Sequence, residues 1–199
     1  MYTLINGSQK RSNSNSKYFL SYISNYLEDY NMFDLMHHDY KDIINSINSS
    51  NSILLAFPLY VDSPNNLTLR FLDYIYDNNI SLKNKKLYVI INCGFREGEH
   101  NITALNIIKN WCKKINIIYS GSILIGAGEI VGKKNYKFIC HKALSNLKKF
   151  SKNIMNNDKC NDIVTTMDLL NNKIYCSLAN KSWNKKARLN KLSLEDVKK

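Results

Sequence analysis

Tyr2-Thr3-Leu4-Ile5-Asn6 leads directly into Gly7-Ser8-Gln9-Lys10-Arg11-Ser12-Asn13-Ser14-Asn15-Ser16, and the reading of the whole chain starts from this join. The apolar run stops at a glycine, as a buried parallel strand does at its carboxyl end. The polar loop opens a segment in which Tyr18, Phe19, Tyr22, Ile23, Tyr26 and Leu27 recur at helical spacing, with Ser14 or Ser16 placed as N-cap. The loop has neither the GxGxxG of a dinucleotide fold nor the GK[ST] of a P-loop. It offers four hydroxyls, two short amides and two cations at a helix N-terminus. Such a set suits the terminal phosphate monoester of a mononucleotide better than a pyrophosphate, which needs glycines for close backbone approach. A polar turn with an N-cap accounts for the same residues equally well.

Working outward, the same alternation repeats. Met32–Met36 is a strand candidate and residues 40–49 a short polar helix. Ile53-Leu54-Leu55-Ala56-Phe57 is the clearest buried strand; Pro58-Leu59-Tyr60-Val61-Asp62 follows it. Ser63 then reads as a helix cap and Pro64 as the first helical residue. Leu67, Phe71, Tyr74 and Ile75 give that helix one apolar face. Leu87–Ile91 is a strand interrupted at Asn92-Cys93-Gly94, and Ile102, Leu105, Ile108 and Cys112 line the next helix. Ile117–Ile125 is a fifth strand, broken by Gly121 and ending at Gly126-Ala127-Gly128. A last long helix over 134–154 aligns Tyr136, Ile139, Cys140, Ala143, Leu147, Phe150 and Ile154.

Strand and helix alternating five times predict an α/β domain with a five-stranded parallel sheet and helices on both faces. Residues 1–157 form that domain. Residues 158–199 form a basic C-terminal extension, outside the sheet, that packs on the domain or on a partner subunit. Ligands of such sheets bind beyond the carboxyl ends of the strands, so loops 7–16, 58–62, 92–98 and 126–132 should converge. Tyr60 is suited to wall a slot for a flat ring, or to ordinary packing. Gly94 permits close backbone approach beside Phe95, and Gly126-Ala127-Gly128, nearly bare of side chains, suits a floor for something planar.

At 199 residues with 44% hydrophobic content, the chain can bury a sizeable core and is not a disordered one. Five cysteines (Cys93, Cys112, Cys140, Cys160, Cys176) with no CxxC pair exclude a disulfide framework and zinc-ligand spacing. With no signal peptide and no long apolar stretch, the chain is expected to be cytoplasmic, with no membrane partner. The net charge of +12 is concentrated in residues 133–199, where 16 Lys/Arg face 5 Asp/Glu, against 12 and 11 in residues 1–132. This reads as a solvated face or as steering of an anionic ligand rather than as a nucleic-acid site.

Several segments together resemble the NAD(P)H-dependent FMN reductase family of the flavodoxin-like superfamily. Gly7–Ser16 is similar to its GSPKxxNSNS loop, with Gln9 in place of the proline. Phe57-Pro58-Leu59-Tyr60, Ser63-Pro64 and Phe71-Leu72-Asp73 are similar to its PLYxxxxPxxxxxFxD segment. Asn92-Cys93-Gly94-Phe95-Arg96-Glu97, with Asn101 and Ala104-Leu105, is similar to NxGFPE…N…AL, with Arg96 in place of proline. Ala179-Asn180-Lys181-Ser182-Trp183, with Ala187 and Asn190, looks like a tail seen in some members.

The resemblance implies a flavodoxin-like three-layer sandwich binding FMN. By it, Ser8, Lys10, Ser14, Asn15 and Ser16 hold the phosphate, and Pro58, Leu59, Tyr60 and Val61 line one side of the isoalloxazine. Asn92, Cys93, Gly94, Phe95 and Glu97 border its other parts. The implied activity is an FMN-dependent NAD(P)H oxidoreductase passing hydride from a nicotinamide to flavin and on to a quinone-, nitro- or flavin-type small-molecule acceptor. No catalytic side chain and no metal is implied; His100, His37 and His38 read as structural or surface residues, and Cys93 as packing. A homodimer is the expected assembly. A flavodoxin-type electron carrier and a non-catalytic interaction protein of the same fold are the competing readings.

Overall fold

A computed structural model of the chain describes residues 1–10, 13–131, 138–167, 171–193 and 195–196. Two compact units result, Met1–Met167 and Asp168–Lys199.

The first unit begins with β1 (Tyr2–Asn6), α1 (Asn15–Ser24), β2 (Tyr30–Asp34), α2 (Tyr40–Ser49) and β3 (Ser52–Tyr60). It continues through β4 (Ser63–Pro64), α3 (Asn66–Asp77), β5 (Lys86–Asn92), a 3₁₀ turn (Gly98–Asn101) and α4 (Ile102–Ile115). Then come β6 (Ile118–Ile125), the short α5 (Gly128–Val131), α6 (His141–Met155) and β7 (Ile163–Thr165). The strands order as β2-β1-β3-β5-β6-β7, all parallel, while β4 pairs antiparallel with β3. The first five parallel strands thus follow the 2-1-3-4-5 order of a doubly wound sheet.

Side chains alternate across the sheet. Ile53, Leu55 and Phe57 of β3 join Ile5, Val89 and Ile91 against α2, α3 and α4, through Ile43, Ile47, Phe71, Ile75, Leu105 and Ile108. On the other face α1 contacts β3 and α6 contacts β6, with Phe150 edge-on to buried Tyr88 at 6.1 Å between ring centroids. Buried strands with both faces covered explain why β1, β3 and β5 read as continuous apolar runs.

Three sequence expectations need correction. The sheet has six parallel strands, not five. Residues 158–167, expected in the extension, belong to the first unit, because Ile123, Leu124 and Ile125 pair with Ile163, Val164 and Thr165. Asp162 fastens this stretch by accepting from Ser122 Oγ at 2.9 Å and from the Tyr119 hydroxyl, and by pairing with Lys109 at 2.5 Å. Finally, Ser63 and Pro64 do not start α3. They form β4, after a two-residue turn in which Val61 (φ 49°) and Asp62 (φ 58°) are both left-handed. That is the type I′ geometry whose twist matches a tight hairpin. Asn65 caps α3 instead, its Oδ1 accepting from Thr68 N at 3.0 Å. Of the last long helix expected over 134–154, residues 134–137, with Tyr136, lie outside the described residues; Phe138, Ile139 and Cys140 form a turn, and α6 begins only at His141, with Cys140 as its N-cap.

The second unit contains α7 (Asn172–Leu189), capped by Asn171, whose Oδ1 accepts from Ile174 N at 2.9 Å.

Candidate functional site at the carboxyl edge of the sheet

Four of the strands that end at this edge are terminated by polar residues or glycine, and their loops are tied to one another. Gly7 donates its N–H to Ala56 O at 2.8 Å. Its carbonyl accepts from Asn65 Nδ2 at 2.8 Å and Thr68 Oγ1 at 3.4 Å. A Cβ at Gly7 would stand 2.3 Å from Thr68 Oγ1 and 3.1 Å from Phe57 Cβ, so only glycine lets β1, β3 and α3 meet here.

The loop beyond Gly7 is ordered around Asn6. Asn6 Oδ1 accepts from Ser8 N (3.1 Å) and Ser14 Oγ (3.4 Å), while Asn6 Nδ2 donates to Asp34 Oδ1 (2.6 Å). Asp34 in turn pairs with Lys17 at 2.6 Å. Partial burial pushes the Asp34 carboxyl up, but hydrogen bonds from Lys17 and Asn6 and the charges of Lys17 and His38 outweigh it and leave it below the ordinary value. Lys10 N donates to Ser8 Oγ at 3.2 Å, and Lys10 Nζ reaches Asn13 O at 3.4 Å. Asn13 is left-handed, φ 50°, a conformation its short amide tolerates. Arg11 and Ser12 lie outside the described residues.

Ser14, one of the two expected caps, closes α1 by accepting from Lys17 N at 3.1 Å. A helix leaves its first N–H groups without internal acceptors. With Lys17 N taken, those of Asn15 and Ser16 remain for an external acceptor, and the helix dipole favours an anion there. Ser16 is buried, and its Oγ accepts from Asn92 Nδ2 at 3.0 Å. The same Asn92 amide donates to Phe57 O at 3.1 Å. One side chain at the end of β5 therefore ties the start of α1 to β3 one residue before Pro58.

β3 runs on past the expected Phe57 to Tyr60: its last residues Pro58 and Leu59 are half-buried, and Tyr60 and the turn residue Val61 project into solvent, Val61 almost completely. A β-branched residue at positive φ is strained by about 1–2 kcal/mol, and the antiparallel pairing of Leu59 with Pro64 and Tyr60 with Ser63 holds it there.

After β5, Cys93 is buried, its thiol donating to Phe95 O (3.7 Å) and Glu97 O (3.5 Å). Burial pushes that thiol up, so Cys93 is a neutral packing group here, not a thiolate. Gly94 is exposed, with open space where a Cβ would stand. Phe95 is half-exposed and stacks on His100 at 4.3 Å between centroids with a 33° tilt. Arg96, where the resembling family carries proline, holds Glu97 Oε1 from Nε and from guanidinium Nη2, both at 2.8 Å. Slight desolvation raises the Glu97 carboxyl, yet the Arg96 hydrogen bond, its own backbone N–H and the charges of Arg96 and His100 bring it below the ordinary range. His100 Nε2 lies 3.9 Å from Glu97 Oε2.

The fourth loop differs from expectation. Gly126, Ala127 and Gly128 are buried and do not present a floor. A Cβ at Gly126 would meet Arg96 O at 2.3 Å and Gly98 N at 2.8 Å, and one at Gly128 would meet Asn92 Oδ1 at 3.0 Å. Ala127 N donates to Phe95 O and Gly128 N to Cys93 O, at 2.6 and 2.9 Å. These small residues are there so that loop four can buttress loop three from behind.

Loops one, two and three thus bring together Ser8, Lys10, Ser14, Asn15 and Ser16, Pro58 to Val61, and Asn92 to Phe95 with Glu97. Asn6, Lys17, Asp34, Asn65 and Thr68 organise the same edge and were missed in the sequence. The usable signal was an asparagine or aspartate closing an apolar strand: Asn6, Asp34 and Asn92 all do so.

No protein-family model matches the chain, and no curated protein matches it in sequence. Solved structures do resemble it. One, described as an NADH:FMN oxidoreductase in its apo form, aligns with TM-score 0.61 and 15% identity over 78% of this chain and 88% of that one. A protein from P. pentosaceus described as an NADPH-quinone reductase aligns at 0.57 and 15%, over 77% and 96%. General stress protein 14 from Treponema denticola, solved in complex with FMN, aligns at 0.55 and 15%, over 75% and 99%. At such identities a likeness speaks for architecture, and it agrees with the strand order and the crossing loops. This chain has a flavodoxin-like α/β fold.

Proposed function

We propose that the chain is an FMN-dependent NAD(P)H oxidoreductase whose electrons leave to a small quinone-, nitro- or flavin-type acceptor. The observation that supports this most is the tie made by Asn92, which from the end of β5 bonds Ser16 at the close of the first loop and Phe57 O in β3, next to Pro58. It gathers a helix N-terminus and two aromatic-bearing loops at one sheet edge. The names of the structural neighbours point the same way.

The residues present fit the cofactor. The N–H groups of Asn15 and Ser16 and the Lys10 ammonium suit a dianionic phosphate. Ser8, Ser14 and Ser16 shape that cradle through their bonds to Lys10 N, Lys17 N and Asn92. Pro58, Leu59, Tyr60 and Val61 would lie along one side of the ring; Asn92, Cys93, Gly94, Phe95 and Glu97 would border the rest. When bound, FMN supplies hydride acceptance and electron release. The protein orients the ring, and Arg96 neutralises Glu97 beside it. No side chain is assigned as acid or base. A homodimer is part of the same proposal.

The test is a titration of the purified protein with FMN, followed by NADH or NADPH oxidation with a soluble benzoquinone. Saturable binding and acceptor-dependent turnover are expected. No binding at saturating FMN overturns the reading; binding without nicotinamide oxidation replaces the enzyme with an electron carrier.

A further inference from the structure

The second unit carries a surface that the proposed oxidoreductase chemistry does not use. Helix α7 spans Asn172–Leu189, about 27 Å at 1.5 Å per residue. Only Ala187 in it is buried. Between Asp168 and Glu195 there is no acidic residue, against six cations: Lys173, Lys181, Lys185, Lys186, Arg188 and Lys191. Large apolar side chains stand in water beside them, with Ile174 49% exposed, Trp183 59% and Leu189 75%.

At 100° per residue the helix is two-sided. Ile174, Tyr175, Leu178, Ala179, Trp183 and Leu189 share one broad, mainly apolar side, with Asn172 and Ser182 among them. Lys173, Ser177, Asn180, Lys181, Asn184 and Arg188 share the other. Lys185 and Lys186 break into the apolar side near its end, and Lys186 Nζ sits 4.7 Å over the Trp183 ring.

This pattern discriminates between occupants. Seating this helix on a second copy of the chain is disfavoured by charge, since residues 1–167 carry 20 Lys/Arg against 13 Asp/Glu and the remainder 8 against 3, which leaves the proposed homodimer to other surfaces. A nucleic-acid backbone would take the cations but leave Ile174, Leu178 and Leu189 in water. A closed protein groove would take the apolar side but bury the ammoniums of Lys185 and Lys186, which is costly without paired anions. A lipid interface meets both demands. Trp and Tyr rings sit at headgroup depth, and long lysine stems lie along apolar surface while their charges reach phosphates.

We propose, against the sequence expectation of no membrane contact, that α7 docks the protein on anionic phospholipid surfaces, lying in the interface plane. No helix among the described residues is long and apolar enough to cross a membrane, so the contact is peripheral. It is independent of flavin binding.

The experiment is co-sedimentation of the full chain with vesicles of phosphatidylcholine alone, and of phosphatidylcholine and phosphatidylglycerol in equal parts. Binding to the mixed vesicles only, weakening with added salt, is expected. A Lys181→Glu/Lys185→Glu double variant should lose at least tenfold in partitioning, and Trp183→Ser several-fold, with FMN titration and thermal unfolding unchanged for both. Equal binding to neutral vesicles, no binding to either, or binding indifferent to the lysine changes overturns the proposal. So does tighter binding to polyuridylate than to the mixed vesicles, which assigns the helix to nucleic acid.

Discussion

The two edges of the sheet are built from similar residue types and do opposite things. At the amino edge, helices end, and side chains close off their spare carbonyls. Tyr2 donates to Ile154 O and Met155 O (3.1 and 3.2 Å), Lys86 to Asn157 O (2.5 Å) and Tyr88 to Asp158 O (2.8 Å). Lys85 does the same for Asn48 and Ser50 at the end of α2, at 3.0 and 2.7 Å. At the carboxyl edge, helices begin, and the polar side chains bond to each other. Asn6, Ser14, Ser16 and Asn92 make a frame, and backbone donors at the start of α1 are left over. A parallel sheet imposes this asymmetry, because every crossover helix starts at one edge and ends at the other. Side chains at the first edge bond carbonyls at and just beyond the helix ends, and the second edge keeps backbone donors for an anion.

Substitutions on the two sides should therefore separate stability from binding. The largest loss is expected at Gly126→Ala, where the new methyl would press on the backbone of Arg96 and Gly98. About 3 kcal/mol is expected, roughly 8 °C in a melting curve for a domain of this size. An unchanged Tm would mean that loop four does not buttress loop three. Asn92→Leu keeps the branched shape but leaves Ser16 Oγ and Phe57 O without their donor. It should cost about 2 kcal/mol and weaken FMN at least tenfold by fluorescence titration.

On the opposite edge, Tyr88→Phe removes only the hydroxyl that serves Asp158 O. About 1 kcal/mol of stability should go, with FMN affinity untouched; a matching loss of affinity would break the contrast. The smallest effect concerns acid. Because Asp34 sits below the ordinary carboxylate range when folded, its contribution is complete above the ordinary value near pH 4 and is lost as pH falls from there through the lower folded value. Melting curves between about pH 5 and 3 should fall less steeply for Asp34→Asn than for the native chain. Parallel slopes would remove Asp34 from the frame.

Much of this was visible beforehand. The strands at Tyr2–Asn6, Ser52–Tyr60, Lys86–Asn92 and Ile118–Ile125 announce themselves because both their faces are covered. The Ser14 cap was legible because the chemistry of a helix start is local. What was hidden is what depends on partners distant in the chain. β7 is three residues long and owes its existence to β6. β4 arises from a hairpin in which Val61 takes a conformation its side chain disfavours, so propensity pointed instead to Ser63-Pro64 as a helix start. The Gly126–Gly128 stretch looked like open floor because sequence cannot show that Arg96 and Gly98 stand against it. Asp34 and Lys17 meet across 17 positions, and neither looks remarkable alone.

The short β7 carries a practical lesson for handling the molecule. It covers the outer side of β6, and Gly126 N finds its acceptor in Thr165 O at 3.0 Å. A chain shortened to residue 157 would present β6 bare, with a row of unpaired peptide groups flanked by apolar side chains. Such a border recruits strands from other molecules, so trimming there should yield clumping, whereas trimming after Met167 should yield dispersed protein.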